Sequence, residues 1–346
     1  MLKIKLFTHT DLDGVGAVAV LKHYFNTDVA KIDYKKCGYG WIDDAVTDFI
    51  KYDYDNYDLV LITDISVNES VANELNALYE KNRNIQLIDH HETALWLNEY
   101  EWASVDVKNE QDQLESGTSL LNTYLKETFK RSDPSIISLI NQEAVDEFAE
   151  TVRLYDTWEW NEKGLPVPQQ LNDLLAQLGD TQFIQRFSGN PEVLFTGFET
   201  NLIKRVTRER DSYIKAKMNQ AIQIRPNISE FIVTYSNTTK YTSEQIESLR
   251  KVVTDPDAVM SLTMVTVERY HSELGNDLAK HYGGIVLMFD YNRGSMSWRT
   301  ASDDIPVNHL AKLFNGGGHV KAAGSPMSVE LFETYMNKFI TELKHQ

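Results

Sequence analysis

The sequence predicts an α/β protein whose N-terminal half is a mainly parallel sheet with helices on its faces. Three observations predict it. Short apolar runs at Lys3–Phe7, Leu59–Ile62 and Ile85–Ile88 have the length of buried strands. Stretches of helical spacing lie between them, so strands and helices alternate, as in a sheet built from parallel crossovers. Each run also ends in acids or histidines: Thr8-His9-Thr10-Asp11-Leu12-Asp13-Gly14, then Thr63-Asp64-Ile65-Ser66, then Asp89-His90-His91-Glu92. α/β proteins place ligands at the carboxyl ends of parallel strands, so three such ends describe a pocket.

Taken in order, strand Lys3–Phe7 leads to a helix over Val15–Phe25, and a second helix follows near Trp41–Ile50. Strand Leu59–Ile62, helix Val67–Lys81 and strand Ile85–Ile88 complete the alternation. Ser116 in Ser116-Gly117-Thr118-Ser119 is an N-cap for the helix Leu120–Phe129. A helix from Gln142 to Tyr155 carries Val145, Phe148, Val152 and Tyr155 on one stripe and delivers Asp156 at its end. Glycine and prolines interrupt the pattern from Gly164 to Pro168, and a largely helical region runs on to about Ile224, broken near Ser188-Gly189-Asn190-Pro191. After Arg225-Pro226-Asn227 the chain turns β-rich, with strands at Phe231–Tyr235, Met260–Val267, Ile285–Phe289 and Ser295–Arg299. The last two flank a hairpin turn, Tyr291-Asn292-Arg293-Gly294. A short helix follows Asp304-Ile305-Pro306 as far as Phe314, with Pro306 in its first turn, and a closing helix begins at Ser328. Three regions are expected: 1–164, a largely helical 165–226, and 227–346.

Composition narrows the function. With 346 residues, 42% hydrophobic and 25% charged, the chain has the profile of a soluble globular protein. No apolar run reaches the ~18 residues of a membrane span. Cys37 is the single cysteine, which leaves no disulfide framework and no thiolate metal site. These features together point to the cytoplasm and to no membrane partner. The net charge of −17 argues against a basic track for long nucleic acid, since Lys204, Arg205, Arg208 and Arg210 form the densest basic cluster. A small anionic substrate stays compatible, because bound metal ions reverse the local field.

The chemistry concentrates in His9, Asp11, Asp13, Asp64, His90 and Asp156. Taken singly, each aspartate reads as a cap or a surface acid. As a set, imidazoles and carboxylates without sulfur suit Mn²⁺, Mg²⁺ or Zn²⁺. Asp11 and Asp13 either face one way on an extended segment or diverge in a turn. Four carboxylates balance two divalent cations, and two metals ~3.5–4 Å apart are a recurring device for in-line attack on phosphorus. A second cluster, Asn315-Gly316-Gly317-Gly318-His319-Val320-Lys321-Ala322-Ala323-Gly324, brings backbone amides and a histidine within reach of an anion. Arg299, just upstream, adds a guanidinium suited to a phosphate. His23, His271, His281 and His309 read as surface or packing residues, since they lack acidic partners at metal spacing. Tyr155, Trp158, Trp160 and Trp298 read either as core or as stacking surfaces for a base.

The set His9-x-Asp11-x-Asp13-Gly14, Thr63-Asp64, Asp89-His90-His91 and Asp156, followed by Gly316-Gly317-Gly318-His319-x-x-Ala322-Ala323-Gly324, resembles the DHH/DHHA1 phosphoesterase family. The motifs keep the family's order across both halves of the chain. The opening His9 to Gly16 is most similar to the oligoribonuclease (nanoRNase) branch of Firmicutes. The resemblance implies a parallel-sheet DHH domain, a smaller C-terminal α/β DHHA1 domain, and an active site in the cleft between them. It implies two Mn²⁺ ions, with Mg²⁺ or another divalent ion as a substitute. His9 and Asp11 would hold one, Asp13, His90 and Asp156 the other, and Asp64 both. It places His91 at the scissile phosphate, with Asp89 supporting the histidines. It gives Arg299, His319 and the amides of Gly316, Gly317 and Gly318 to the substrate's phosphate or terminal nucleotide.

The expected function is a manganese-dependent phosphodiesterase. It would hydrolyse short RNA or DNA oligomers to nucleoside 5′-monophosphates by two-metal hydroxide attack. A phosphoadenosine phosphate phosphatase and a cyclic-dinucleotide phosphodiesterase would keep the same motifs. A RecJ-like single-strand DNA exonuclease should show a basic channel. A non-catalytic nucleotide-binding protein should have lost metal ligands. Region 165–226 is open as a linker, a homodimer surface or a substrate-length gauge.

Overall fold

The computed structural model describes residues 1–25, 30–129, 141–227, 231, 259–302 and 304–343. Within them the chain divides into two units, Met1–Val206 and Thr207–Gln346.

The first unit is built outward from β1 (Leu2–Thr8), whose side chains alternate between two apolar layers. Ile4 and Leu6 enter one core and Phe7 the other. β1 pairs in parallel with β2 (Ala30–Lys36) on one side and β3 (Leu59–Thr63) on the other. β4 (Ile85–Asp89) and β5 (Ala103–Val105) extend the sheet to the order β2-β1-β3-β4-β5, parallel throughout. The three expected strands are its centre. The two that periodicity missed are its edges: β2 is rich in lysine, as a solvated edge strand tends to be, and β5 has three residues.

One face is covered by α1 (Leu12–Tyr24), α4 (Gly117–Phe129), α5 (Gln142–Asp156) and α7 (Pro166–Gly189) around Phe148, Phe183 and Phe187. α1 lies beneath the other three and is buried on nearly every side, which explains its Val15-Gly16-Ala17-Val18-Ala19-Val20-Leu21 run. The opposite face is covered by α2 (Ile42–Tyr52) and α3 (Glu69–Asn82), around Phe49, Leu75 and Trp102. A short α6 (Glu159–Lys163) links α5 to α7. α7 packs on α1 and α5, and α8 (Gly197–Met218) crosses the boundary at residue 206, so region 165–226 is shared by the two units.

The second unit holds a mixed sheet in the order β10-β11-β9-β8-β7-β6. Its strands are β6 (Ile222–Ile224), β7 (Leu262–Thr266), β8 (Ile285–Asp290), β9 (Ser295–Thr300), β10 (Gly317–Gly318) and β11 (Ala322–Pro326). β7 and β8 run parallel, joined by α9 (His271–Tyr282), while the other pairs are antiparallel. The expected hairpin joins β8 to β9, with Gly294 at φ +61°. Pro306 caps α10 (Val307–Lys312) from outside rather than lying in its first turn. α11 (Val329–Leu343) closes the chain. The strand expected at Phe231–Tyr235 lies, Phe231 apart, outside the described residues.

Candidate metal centre and active site

The strand order reverses about β1: β2 lies on one side, β3 on the other. Such a reversal opens a crevice at the carboxyl ends of the two central strands. His9 follows β1 there, Asp64 follows β3, and Asp89 closes β4.

Asp11 and Asp13 diverge at the start of α1. Asp11 is its N-cap, accepting from the Gly14 amide at 3.2 Å, and its other oxygen lies 2.7 Å from His9 Nδ1. Asp13 points the other way and is buried, gripping the start of α4. Its carboxylate accepts from the Gly117 amide at 2.6 Å and the Thr118 amide at 2.8 Å, and its carbonyl accepts from Thr118 Oγ1 at 2.6 Å. The Ser116-Gly117-Thr118 segment is thus a clamp on Asp13, and Ser116 Oγ also caps the Ser119 amide at 3.2 Å.

Asp64 has a left-handed backbone, φ +59°, a conformation aspartate adopts more readily than most residues. Gly117 lies directly against it: a Cβ there would stand 2.6 Å from Asp64 Cβ. His90 Nε2 gathers the remaining acids, 3.3 Å from Asp64 Oδ1, 3.7 Å from Asp13 Oδ2 and 3.6 Å from Asp156 Oδ2. Asp64 Oδ2 faces His9 Nδ1 at 4.0 Å. Asp156 is the last residue of α5, whose final turn is held by Arg153 bonding Glu150, Glu159 and the Leu114 carbonyl. Ligand atoms of His9, Asp11 and Asp64 lie within 4.8 Å of one another, as do those of Asp13, His90 and Asp156.

His91 Nδ1 lies 2.7 Å from Asp89 Oδ1, which also accepts from the His90 amide at 2.8 Å. The structure therefore brings together every site residue expected in the first unit. It adds one that sequence reasoning missed. Tyr39, in the turn after β2, lies beside His9 and has its hydroxyl 3.1 Å from His91 Nε2. The only signal for it would have been the recognition of β2 as a strand ending at the same edge.

Burial, with the neighbouring Asp13 and Asp11 carboxylates, pushes the Asp64 and Asp156 carboxyls well above the usual carboxylate range. Desolvation likewise pushes His90 down. Asp11 is opposed by burial too, but the His9 bond and the Gly14 amide prevail and hold it at about 2. His9 and His91 lose to burial but gain more from Asp11 and Asp89, and both are raised. Among the described residues, the acids that line the site have histidines, not lysine or arginine, as their ion-pair partners. Asp64 Oδ2 is buried with no hydrogen-bond partner. Oxygen and imidazole donors, an orphaned carboxylate oxygen and mutually repelling acids together fit a divalent cation of the Mn²⁺, Mg²⁺ or Zn²⁺ kind.

In the second unit, Arg299 of β9 pairs in register with Ala322 of β11, beside the turn that carries His319. Its guanidinium bonds the Trp298 carbonyl at 2.9 Å, and burial lowers it to about 10 against the pull of Glu273. The glycine triplet forms a tight hairpin rather than an open loop. Gly316 abuts the backbone of β11, where a Cβ would come 2.1 Å from the Gly324 carbonyl. Its amide is already donated to the Ala311 carbonyl at 2.9 Å, which removes it from the expected anion donors. His319 is exposed at the turn. Trp298 and Trp160 are buried and belong to the cores, not to a stacking surface. His271, read as a surface or packing residue without acidic partners at metal spacing, is half-buried and meets Asp290 at 3.0 Å, brought close by the parallel β7–β8 pair.

The N-terminal domain of the DHH family matches residues 3–151. Oligoribonuclease NrnB of Bacillus subtilis (strain 168) is 33% identical over 339 residues, covering 96% of this chain and 74% of that protein. Among solved structures, RecJ from Thermus thermophilus in complex with Mn²⁺ has a TM-score of 0.49 and 12% identity, over 99% of this chain and 52% of that one. The pGpG-specific phosphodiesterase PggH from Vibrio cholerae has a TM-score of 0.43 and 13% identity over 99% of each chain. With the strand ends, the histidine–aspartate cluster and this extended identity in agreement, the chain belongs to the DHH family of metal-dependent phosphoesterases, close to its oligoribonuclease branch.

Proposed function

We propose that this protein hydrolyses short oligonucleotides to nucleoside 5′-monophosphates with manganese as its working metal. One observation carries the reading: Asp13, Asp64 and Asp156 converge on His90 in a buried site where a cation relieves their repulsion. The 33% identity with an oligoribonuclease supports the substrate class. The net charge of −17 supports short substrates, which need few phosphate contacts.

His9 and Asp11 would hold one ion, Asp13, His90 and Asp156 the other, with Asp64 between them. Divalent ions bound there supply charge neutralisation, polarisation of a phosphoryl oxygen and acidification of water. The protein's own groups do the rest. Asp13 is fixed by two α4 amides, so its position is set before any ligand arrives. Asp89 anchors His91 through Nδ1 and favours the protonated ring, a donor toward charge developing on a phosphate oxygen or on the leaving oxygen. In the second unit, Arg299 and His319 would take the phosphate or terminal nucleotide of the substrate.

The test is a product time course with Mn²⁺ over a dinucleotide, a 5-mer and a 24-mer of RNA, matching DNA, phosphoadenosine phosphate, cyclic di-AMP and pyrophosphate. Mononucleotide release fastest from the 2- to 5-mers is expected. Turnover of phosphoadenosine phosphate or the cyclic dinucleotide alone would replace the substrate, and preference for the 24-mer would overturn the short-substrate reading.

A further inference from the structure

Tyr39 reaches the site from a strand end, Lys35-Lys36-Cys37-Gly38, that carries neither acid nor histidine. β2 runs beside β1 as far as the pair Thr8↔Lys36, and one more bond, from the Cys37 amide to the Thr8 carbonyl at 2.7 Å, keeps the two chains together. The amides of Trp41 and Ile42 then close on the Gly38 carbonyl, each at 3.1 Å, and turn the backbone into α2. Tyr39 sits on the outside of that turn. Its ring lies 5.3 Å from the His9 ring and 6.0 Å from the His91 ring, edge-on to the latter at 89°. The residue is still 54% exposed, so it adds little to either core.

Its hydroxyl meets the outer nitrogen of His91. Asp89 is fully buried, and its Oδ1 binds both the His90 amide and His91 Nδ1. A carboxylate facing Nδ1 selects the ring with its proton there, which leaves Nε2 as the acceptor in the neutral imidazole. The Tyr39 hydroxyl lies 3.1 Å from Nε2, donating to it when the ring is neutral and accepting from it when the ring is protonated. With both nitrogens bonded, the ring cannot turn about its long axis without breaking two hydrogen bonds.

We propose that Tyr39 is a positioning residue of the reaction, its hydroxyl occupying His91 Nε2 and holding that edge of the ring in place until a phosphate oxygen of the substrate takes over the bond. The proposal rests on the phosphodiesterase reading for what His91 meets, but not for the Asp89–His91–Tyr39 chain itself. Outer partners of this kind change activity by ~10–100-fold when removed. Tyr39→Phe keeps the ring and deletes the bond.

Two measurements decide it. In protein labelled with ¹⁵N-histidine, with His91 assigned from His91→Ala, Tyr39→Phe should shift and broaden the His91 Nε2 resonance. His309, in the other unit, and the melting temperature should not change. On a dinucleotide with Mn²⁺, Tyr39→Phe should lower kcat/KM by about tenfold, and by nothing further in the His91→Ala background, because the hydroxyl acts through that ring. An unmoved His91 resonance, wild-type kcat/KM in Tyr39→Phe, or a loss of equal size in both backgrounds would overturn the proposal. If the wild-type protein turns over no oligonucleotide, the functional reading fails instead, and the resonance still decides whether Tyr39 holds His91.

Discussion

Asp156 carries a carboxyl that burial and its acidic neighbours hold in the protonated form beyond the usual carboxylate range. In the metal-free protein the folded chain thus keeps a proton that the unfolded chain releases, and stability falls as pH rises from that range through the raised value. Asp156→Asn should melt higher than wild type at pH 8 without metal, with the difference shrinking toward pH 4. A bound cation reverses the sign, so wild type should gain more from Mn²⁺ at pH 8 than at pH 5. At a hundredfold excess over Kd the gain is about 2.7 kcal/mol. Equal gains at both pH values would refute the linkage. Asp64→Ala and His90→Ala should each lower turnover by more than ~100-fold, above the range for outer-sphere partners, with Mn²⁺ binding by calorimetry lost in parallel. His319→Ala belongs to the other unit and should raise KM while leaving metal content intact. Loss of metal with His319 would break the assignment of roles.

Among the elements, α4 binds the site through its first turn. Gly117 touches Asp64 on one side and donates to Asp13 on the other. Gly117→Ala should therefore displace Asp64 and cost about 1–3 kcal/mol as an overpacked contact, read as a fall in melting temperature together with weaker Mn²⁺ binding. A variant with wild-type metal affinity would show that the backbone there has room to yield. Apolar periodicity made the central strands and most helices of the first unit legible, because β1, β3 and β4 are buried on both faces. It was silent on β2, whose lysines suit an edge, and so on Tyr39 at its end. The acids and histidines were legible because each terminates a strand or helix. Whether Asp11 and Asp13 share a direction was not, since that depends on where α1 begins and on a helix more than a hundred residues later. The pairing of His271 with Asp290 was hidden for a similar reason, because it depends on the register of β7 and β8.

For the molecule as a whole, the cluster of acids and imidazoles lies in Met1–Val206, while Arg299 and His319, proposed to hold the substrate, lie in Thr207–Gln346. A chain of net charge −17 gathers few phosphates at once. For three phosphates on a single strand, log KM should rise against log salt with a slope of about 2, against about 4 or more for a track of six. A steep slope between 50 and 200 mM salt would reveal a basic path that the composition conceals. The clamp of α4 on Asp13 also bears on the protein's use as a tool. An inert but intact bait, built to hold the proposed substrate without cutting it, cannot be made at Asp13, because removing that carboxylate strands two buried amides and loosens a helix. Asp64→Asn, which leaves that clamp untouched, is the place to silence it.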